Sequence, residues 1–451
     1  MHFNTDETIC SVITPPGLSG VALLRISGKD ASTIINKHIH FDITEKSSHS
    51  ISYGIFYKND IPVDTITLFW YKGPHSFTGQ DIIEIGCHGG FIVPEQILQC
   101  LISSGARRAE PGEFSLRAFL NGKLDLTQAE AINDIIHLQS PAALESASKQ
   151  LIGSFKKEII SLKDKTEKLF KYLILDFDFS QENIQLVSHD TLVQELTLLY
   201  TVAQSFIRTF DSAKTLRSGY NVLLLGHPNA GKSSLFNALL GYSRSIISPI
   251  PGTTRDFVEA SLLIDGLHVN LIDTAGIHEN TKDIIEIEGI SLSMNLINKA
   301  SIICIVNDIT CGIHHSDHLY NIAKELNSDA DICFIHNKAD HINDEFSNDS
   351  HNIYSSVLSN YGLQDILNYI SSCMSKTDIH MSFLLNQRQV DLLKEYQNHI
   401  YSALELAKQG ETTDVLAIDL RSALDSLGLI IGTIYNEDLL NDVFASMCIG
   451  K

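Results

Sequence analysis

With 451 residues the chain exceeds one ordinary domain, so two or three are expected, each large enough for its own core. A hydrophobic fraction of 44% is that of a globular protein, and no run approaches the roughly 20 apolar residues of a membrane span. The formal charge of −21 disfavours nonspecific nucleic-acid binding as the main activity, because a phosphate backbone repels such a field.

The start, MHFNTDETIC, lacks both the basic residues and the apolar core of an export signal. The eight cysteines, Cys10, Cys87, Cys100, Cys304, Cys311, Cys333, Cys373 and Cys448, show no metal-type spacing, and several sit in apolar runs. A reducing, cytoplasmic location is the expectation.

In chain order, residues 1–120 alternate short apolar runs, such as VALLRIS and DIIEIG, with glycine-rich loops, PPGLSG, KGPHSFTGQ and CHGG, which predicts mixed α and β structure. From Leu124 the pattern turns helical. Phe155, Ile159, Leu162, Leu169 and Leu173 fall on one stripe, and Leu192, Leu196, Leu199, Ala203, Phe206 and Phe210 on another. The stretch Phe155 to Leu173 also holds Lys156, Lys157, Lys163, Lys165, Lys168 and Lys171 against three acids, read either as a solvated helix face or as a local basic patch.

The nine residues Gly226 to Ser234, GHPNAGKSS, meet every position of the phosphate-loop pattern GxxxxGK[ST], after the apolar run Val222 to Leu225 and before the helix-like SLFNALLG. Gly226 and Gly231 let the backbone wrap so that N–H groups, including those around Asn229, Ala230 and Ser234, point at phosphate oxygens. Lys232 supplies charge to the β- and γ-phosphates, and the Ser233 hydroxyl is placed to ligate magnesium. Asp265-Gly266 reads as a tight hairpin turn. LIDTAG then places Asp273 at a strand end, where it can hold magnesium through water, with Gly276 sensing a γ-phosphate. The strand DICFIHNKAD ends in Asn337, Lys338 and Asp340. An aspartate there accepts bonds from guanine N1–H and its 2-amino group, which adenine cannot offer, so the expected nucleotide is GTP.

After this block the helical stripe resumes at Leu393, Tyr396, Ile400, Ala403 and Ala407. A one-sided helix must bury its stripe, so helices before and after the nucleotide block are expected to pack into one discontinuous bundle, with the GTPase inserted and its ends close in space. The expected segments are 1–120, 121–215 (helical, first part), 216–376 (GTPase) and 377–451 (helical, second part). The fold class is multidomain α/β: an α+β N-terminal domain, a discontinuous α-helical bundle and an inserted P-loop GTPase domain.

The phosphate loop, TTRD (Thr253 to Asp256), DTAG and NKAD in this order resemble translation-factor-type GTPases of the Era and MnmE kind. The final CIGK, Cys448 to Lys451, and the blocks DETICSVITPPGLSGVALLRISG, FTGQDIIEIGCHGG and RRAEPGEFSLRAFLNGKLDLTQAEAINDII extend the resemblance to the MnmE (TrmE) family over essentially the whole chain. Cys448 is a catalytic candidate by that resemblance. A prenylation box fits CIGK poorly, and a buried structural cysteine is the other reading.

The resemblance implies a homodimeric, potassium-stimulated GTPase. It works with an MnmG-like flavoprotein, which carries the FAD, to modify the wobble uridine of transfer RNA at C5, yielding aminomethyl or carboxymethylaminomethyl groups. Thr253 or Thr254 is expected to close over magnesium and the γ-phosphate, with Thr254 the magnesium ligand, and Ser356 to carry the weak fifth guanine signature. Asn229, Ser248, Ile250 and Thr253 match the potassium site. The water-orienting acid is Glu286, with Glu288 its neighbour.

The N-terminal domain is expected to resemble folate-binding domains and to take 5-formyltetrahydrofolate or a related one-carbon folate. Glu84 is the candidate for the pterin edge and Arg25 for the glutamate tail, with Arg117 and Lys123 as further candidates and Gly89 and Gly90 permitting close approach. A salt bridge inside the domain explains Arg25 and Glu84 equally well. The competing reading is an Era-like ribosome-assembly switch. Such proteins usually carry a basic appendage, whereas Glu411 to Lys451 holds seven acids against two bases.

Overall fold

The computed structural model describes residues 5–138, 140–178, 188–210, 217, 219–242, 258–273, 294–342, 349, 351–374 and 383–451. The chain divides into two compact units, one formed by residues 1–136, 148–207 and 387–451, the other by 137–147 and 208–386.

The first unit opens with a six-stranded sheet. Its strands are β1 (Ile9–Val12), β2 (Ala22–Ser27), β3 (Ser50–Lys58), β4 (Ile61–Tyr71), β5 (Ile82–Cys87) and β6 (Arg107–Arg108), in the order β3-β4-β5-β2-β1-β6. All neighbours are antiparallel except β1 and β6. Side chains alternate along β2: Ala22, Leu24 and Ile26 are buried in a core with Leu68, Trp70 and Ile85. Helix α1 (Ala31–Asn36) and helix α2 (Ile92–Ser103) close that core with Ile34, Ile35, Ile97, Leu98 and Leu101. Arg25, between Leu24 and Ile26, therefore belongs to the opposite face.

Helices α3 (Glu113–Leu120), α4 (Leu126–His137), α5 (Pro141–Leu151), α6 (Ser154–Asp178) and α7 (His189–Arg208) follow. The bundle is completed by α11 (Gln387–Lys408), α12 (Thr413–Ile431) and α13 (Glu437–Ala445). The apolar stripes explain the assembly: Phe155, Ile159, Leu162, Leu169 and Leu173 of α6 and Leu393, Tyr396, Ile400, Ala403 and Ala407 of α11 are all buried. The Thr166 and Tyr396 hydroxyls are hydrogen-bonded at 2.9 Å inside that core. Arg388 of α11 grips Glu130 of α4 through two bonds of 2.7 and 2.8 Å and donates to the last carbonyls of α12, Leu429 at 2.9 Å and Ile430 at 3.1 Å. Two helix segments far apart in sequence are thus joined by one fork-shaped cation, the geometry a guanidinium suits and an ammonium does not.

The second unit holds a sheet of β7 (Tyr220–Leu225), β8 (Val258–Ile264), β9 (Leu267–Asp273), β10 (Ile302–Asp308), β11 (Asp331–Asn337) and β12 (Asn352–Tyr354), in the order β12-β11-β10-β7-β9-β8. Only β8 runs antiparallel to its neighbour. The β8–β9 hairpin turns through Asp265 and Gly266, both with positive φ of 50° and 78°, the backbone a two-residue turn demands. β10 is buried along almost its whole length, as a central parallel strand covered on both faces must be. Helices α8 (Lys232–Tyr242), α9 (Asp317–Leu326) and α10 (Leu363–Met374) accompany the sheet. The guanidinium of Arg217 donates to the carbonyls of Leu384 and Leu385, 3.2 Å each, and so joins the two ends of this unit.

Candidate functional site

The loop from β7 into α8 lies at the carboxyl ends of the parallel strands, where the chain crosses from one side of β7 to the other. Open α/β sheets bind ligands at that position. Asn229 at φ 63° and Gly231 at φ 90° turn the loop, and asparagine tolerates the left-handed region better than most side chains. Gly231 has a second constraint: a Cβ there would run into the Asn337 amide. Lys232 opens α8 with its ammonium bonded to the carbonyls of Gly226 at 2.9 Å and His227 at 3.0 Å. Burial pulls its pKa down, and the nearby Asp273 opposes this. A bound phosphate would give that ammonium charge-assisted bonds, stronger than those to two neutral carbonyls.

Ser233 and Ser234 are exposed in the first turn of α8, and Asp273 is buried at the end of β9. A hydroxyl and a carboxylate are hard oxygen donors, the chemistry a magnesium ion requires beside a phosphate. Leu235, Phe236 and Leu239 bury the other side of α8 and fix the angle at which the helix meets the loop. Ser248, Ile250, Thr253, Thr254, Gly276, Glu286 and Glu288 lie outside the described residues.

At the end of β11, Asn337 donates through Nδ2 to the Ala230 carbonyl at 3.1 Å and ties the NKAD turn to the phosphate loop. Lys338, at φ 64°, pairs with Asp308 at the end of β10. Asp340 accepts from the Ser356 hydroxyl, which holds its carboxyl below the ordinary range. Ser356 is itself fixed by two backbone bonds with Tyr361, of 3.0 and 3.1 Å. The two guanine-facing positions chosen from sequence, Asp340 and Ser356, are therefore side by side.

Behind them runs a polar relay that the motifs do not announce. Ser316 Oγ donates to Asn307 Oδ1 at 3.0 Å, and Asn307 Nδ2 reaches the Gly312 carbonyl at 2.9 Å and His336 Nδ1 at 3.3 Å. With Nδ1 accepting, His336 donates through Nε2 to Asn352 Oδ1 at 3.1 Å. Burial pushes the His336 pKa down, which favours the neutral ring. A histidine inside the apolar strand DICFIHN was the one available signal. His227 is the other unforeseen residue: its ring stands 4.5 Å from that of His315 and 4.9 Å from that of His318, next to the phosphate loop.

In the first unit, Arg25 and Glu84 are direct cross-strand partners on β2 and β5. They form an ion pair with contacts of 2.7 and 2.9 Å, side chains 14% and 16% exposed, so each charge is already answered by the other. The Arg25 guanidinium lies 5.3 Å over the Phe77 ring and 5.4 Å over that of Phe114. Lys123 is elsewhere, exposed in the turn after α3 and beside Gly79. Arg117 is fully buried and bonded to Glu113 at 2.9 Å, Gln80 at 3.0 Å and the Glu7 carbonyl at 2.7 Å, a structural role. Gly89 is required by the backbone of Ser19, which a Cβ would strike, while Gly90 has open space.

The residues Cys448 to Lys451 sit against α3: the Phe114 N–H donates to the Lys451 carbonyl at 3.1 Å and the Gly112 N–H to that of Cys448 at 3.4 Å. Cys448 is exposed and free. Phe114 therefore links this tail to the Arg25–Glu84 pair, a proximity that sequence spacing could not reveal.

Comparison with known proteins finds relatives along almost the whole chain. Residues 8–123 match the family described as the GTP-binding protein TrmE N-terminus, and residues 126–448 that of the MnmE helical domain. The tRNA modification GTPase MnmE of Clostridioides difficile (strain 630) is 36% identical over 460 residues, covering 99% of both chains. That of Thermoanaerobacter pseudethanolicus is 34% identical over 462 residues, again 99% of both. Among solved structures, the G domain of the T. maritima FeoB iron transporter covers 34% of this chain and 98% of its own, at 22% identity and a TM-score of 0.27. Aquifex aeolicus Era bound to GDP and AlF4− covers 40% and 66%, at 24% identity and the same score. With a third of its residues shared along its whole length, the chain belongs to the family of the tRNA modification GTPases MnmE.

Proposed function

We propose that this chain hydrolyses GTP and couples the cycle to modification of the wobble uridine of transfer RNA at C5. The observation that carries the reading is the bond from Asn337 to the phosphate-loop carbonyl of Ala230, which sets Asp340 and Lys232 on one frame able to grip both ends of a guanine nucleotide. In this reading the domain boundaries fall near residues 120, 215 and 376. Lys232 and the loop amides hold the phosphates, Asp340 and Ser356 read the base, and Ser233 and Asp273, with Thr254, hold magnesium. The bound magnesium supplies positive charge to the β- and γ-phosphate oxygens.

Asn229, with Ser248, Ile250 and Thr253, fits the donor chemistry of a potassium ion, oxygen atoms only. Glu286 orients the attacking water. The cycle acts as a conformational gate: two copies of the chain associate through their GTPase domains and release, and the modification chemistry proceeds with a flavoprotein that carries FAD. A one-carbon folate is assigned to the N-terminal domain, near Arg25 and Glu84, with Cys448 close by through Phe114. The setting is the cytoplasm.

The test is mass spectrometry of wobble nucleosides from cells lacking the chain. Loss of the aminomethyl and carboxymethylaminomethyl uridines, restored by the wild-type gene, is expected. An unchanged nucleoside profile would overturn the reading.

A further inference from the structure

The face of α6 turned away from the bundle carries a row of lysines. Phe155, Ile159, Leu162, Thr166, Leu169 and Leu173 are buried, and at 3.6 residues per turn Lys157, Lys168 and Lys171 fall on the opposite side, with Lys165 beside them; all four are exposed. The sequence from 156 to 171 holds six lysines and three acids, in a chain whose 33 basic residues face 54 acidic ones. The local balance is the reverse of the global one.

Lys171 shares a bond of 2.7 Å with Glu167. Lys157, Lys165 and Lys168 have no carboxylate within ion-pair distance among the described residues, so their counterions come from solvent. The Lys168 ammonium stands 5.8 Å over the ring of Tyr172, which is 37% exposed. Together with Asp164, Glu167, Lys171 and Leu175 these two line a shallow depression of about 480 Å³. Lysines with exchangeable counterions beside an accessible aromatic ring are what a nucleic-acid backbone and an unstacked base require. Lys157 and Lys171 are about 21 Å apart along the helix, room for several phosphates.

We propose that the face of α6 carrying Lys157, Lys168, Lys171 and Tyr172 docks the sugar-phosphate backbone of the transfer RNA. The proposal rests on the functional reading given above. It also explains how so acidic a chain holds a polyanion: a local stripe of lysines offsets the repulsion of the whole.

The experiment is fluorescence anisotropy of the full chain with an unmodified transfer RNA transcript across a salt series. It compares wild type with the Lys157→Ala/Lys168→Ala and Lys157→Arg/Lys168→Arg double variants and with Tyr172→Ala. The alanine pair is expected to lower the slope of log affinity against log salt by about 2, roughly one per lysine. The arginine pair should restore it, and Tyr172→Ala should weaken binding with the slope unchanged. Because the side chains are exposed, thermal midpoints should stay together. A wild-type slope in the alanine pair overturns the assignment alone. No transfer RNA binding by the wild type overturns the functional reading and this assignment with it. Competition by polyglutamate as strong as by transfer RNA at equal charge would give the face to an acidic protein and overturn the proposal.

Discussion

The two sheets handle their charged residues in opposite ways. In the first unit Arg25 and Glu84 lie opposite each other on antiparallel neighbours and neutralise each other. In the second, the parallel strands deliver Asp273, Asn337 and the phosphate loop to one edge, and Lys232 is left with backbone carbonyls as its partners. A charge bonded to neutral dipoles is ready for an anion, whereas a charge already paired must exchange one partner for another. Burial of an ionisable residue is therefore a weak guide to a ligand site until its partner is known.

The sharpest way to break this contrast is to remove the waiting charge. Lys232→Ala should lower GTP turnover by about 10²–10³-fold, the scale for loss of one preorganised charge stabiliser. Phosphate release at the wild-type rate would show that the ammonium is not what the site is built around. Next in size is the base. Asp340→Ala should raise the GDP dissociation constant by about 10–100-fold, since hydrogen bonds to a charged group contribute about 1.5–3 kcal/mol. It should also bring GDP and inosine diphosphate to similar affinities in calorimetry. A variant that still prefers GDP would place base recognition elsewhere.

The smallest expected effect tests the paired charges of the first unit. Glu84→Gln keeps a hydrogen bond to Arg25 and removes the carboxylate, and should weaken 5-formyltetrahydrofolate about fivefold, roughly 1 kcal/mol. Equal affinity in the variant would leave Glu84 as the partner of Arg25 and nothing more.

Legibility in the sequence followed from locality. The phosphate loop and NKAD could be read because each places its chemistry within one strand-to-helix or strand-to-turn segment, and the stripes at three- and four-residue spacing announced the bundle. Ser356 could be chosen from the weak fifth guanine signature, but its bond to Asp340 is a tertiary fact. The network of Arg107, Glu113 and Arg117 went unread. Its carboxylate is fully buried and held below the usual range because bonds from Arg107, the Glu110 N–H and Arg117 outweigh the cost of burial. No local spacing marks such a group, and Arg117 looked like a ligand residue for the same reason. The link from Phe114 to both Arg25 and the Cys448 tail likewise joins three parts of the sequence that only folding brings together.

The hydroxyl pair Thr166 and Tyr396 spans 230 residues of sequence. At the roughly 5–20 residues per second of ribosomal synthesis, α6 waits about 10–50 s before α11, which carries Tyr396, emerges. In that interval the inserted second unit can complete itself, while α6 still lacks the late helices that bury its stripe. A destabilising change in α11 or α12 would thus be felt as poor yield during translation before it showed as a lowered melting temperature.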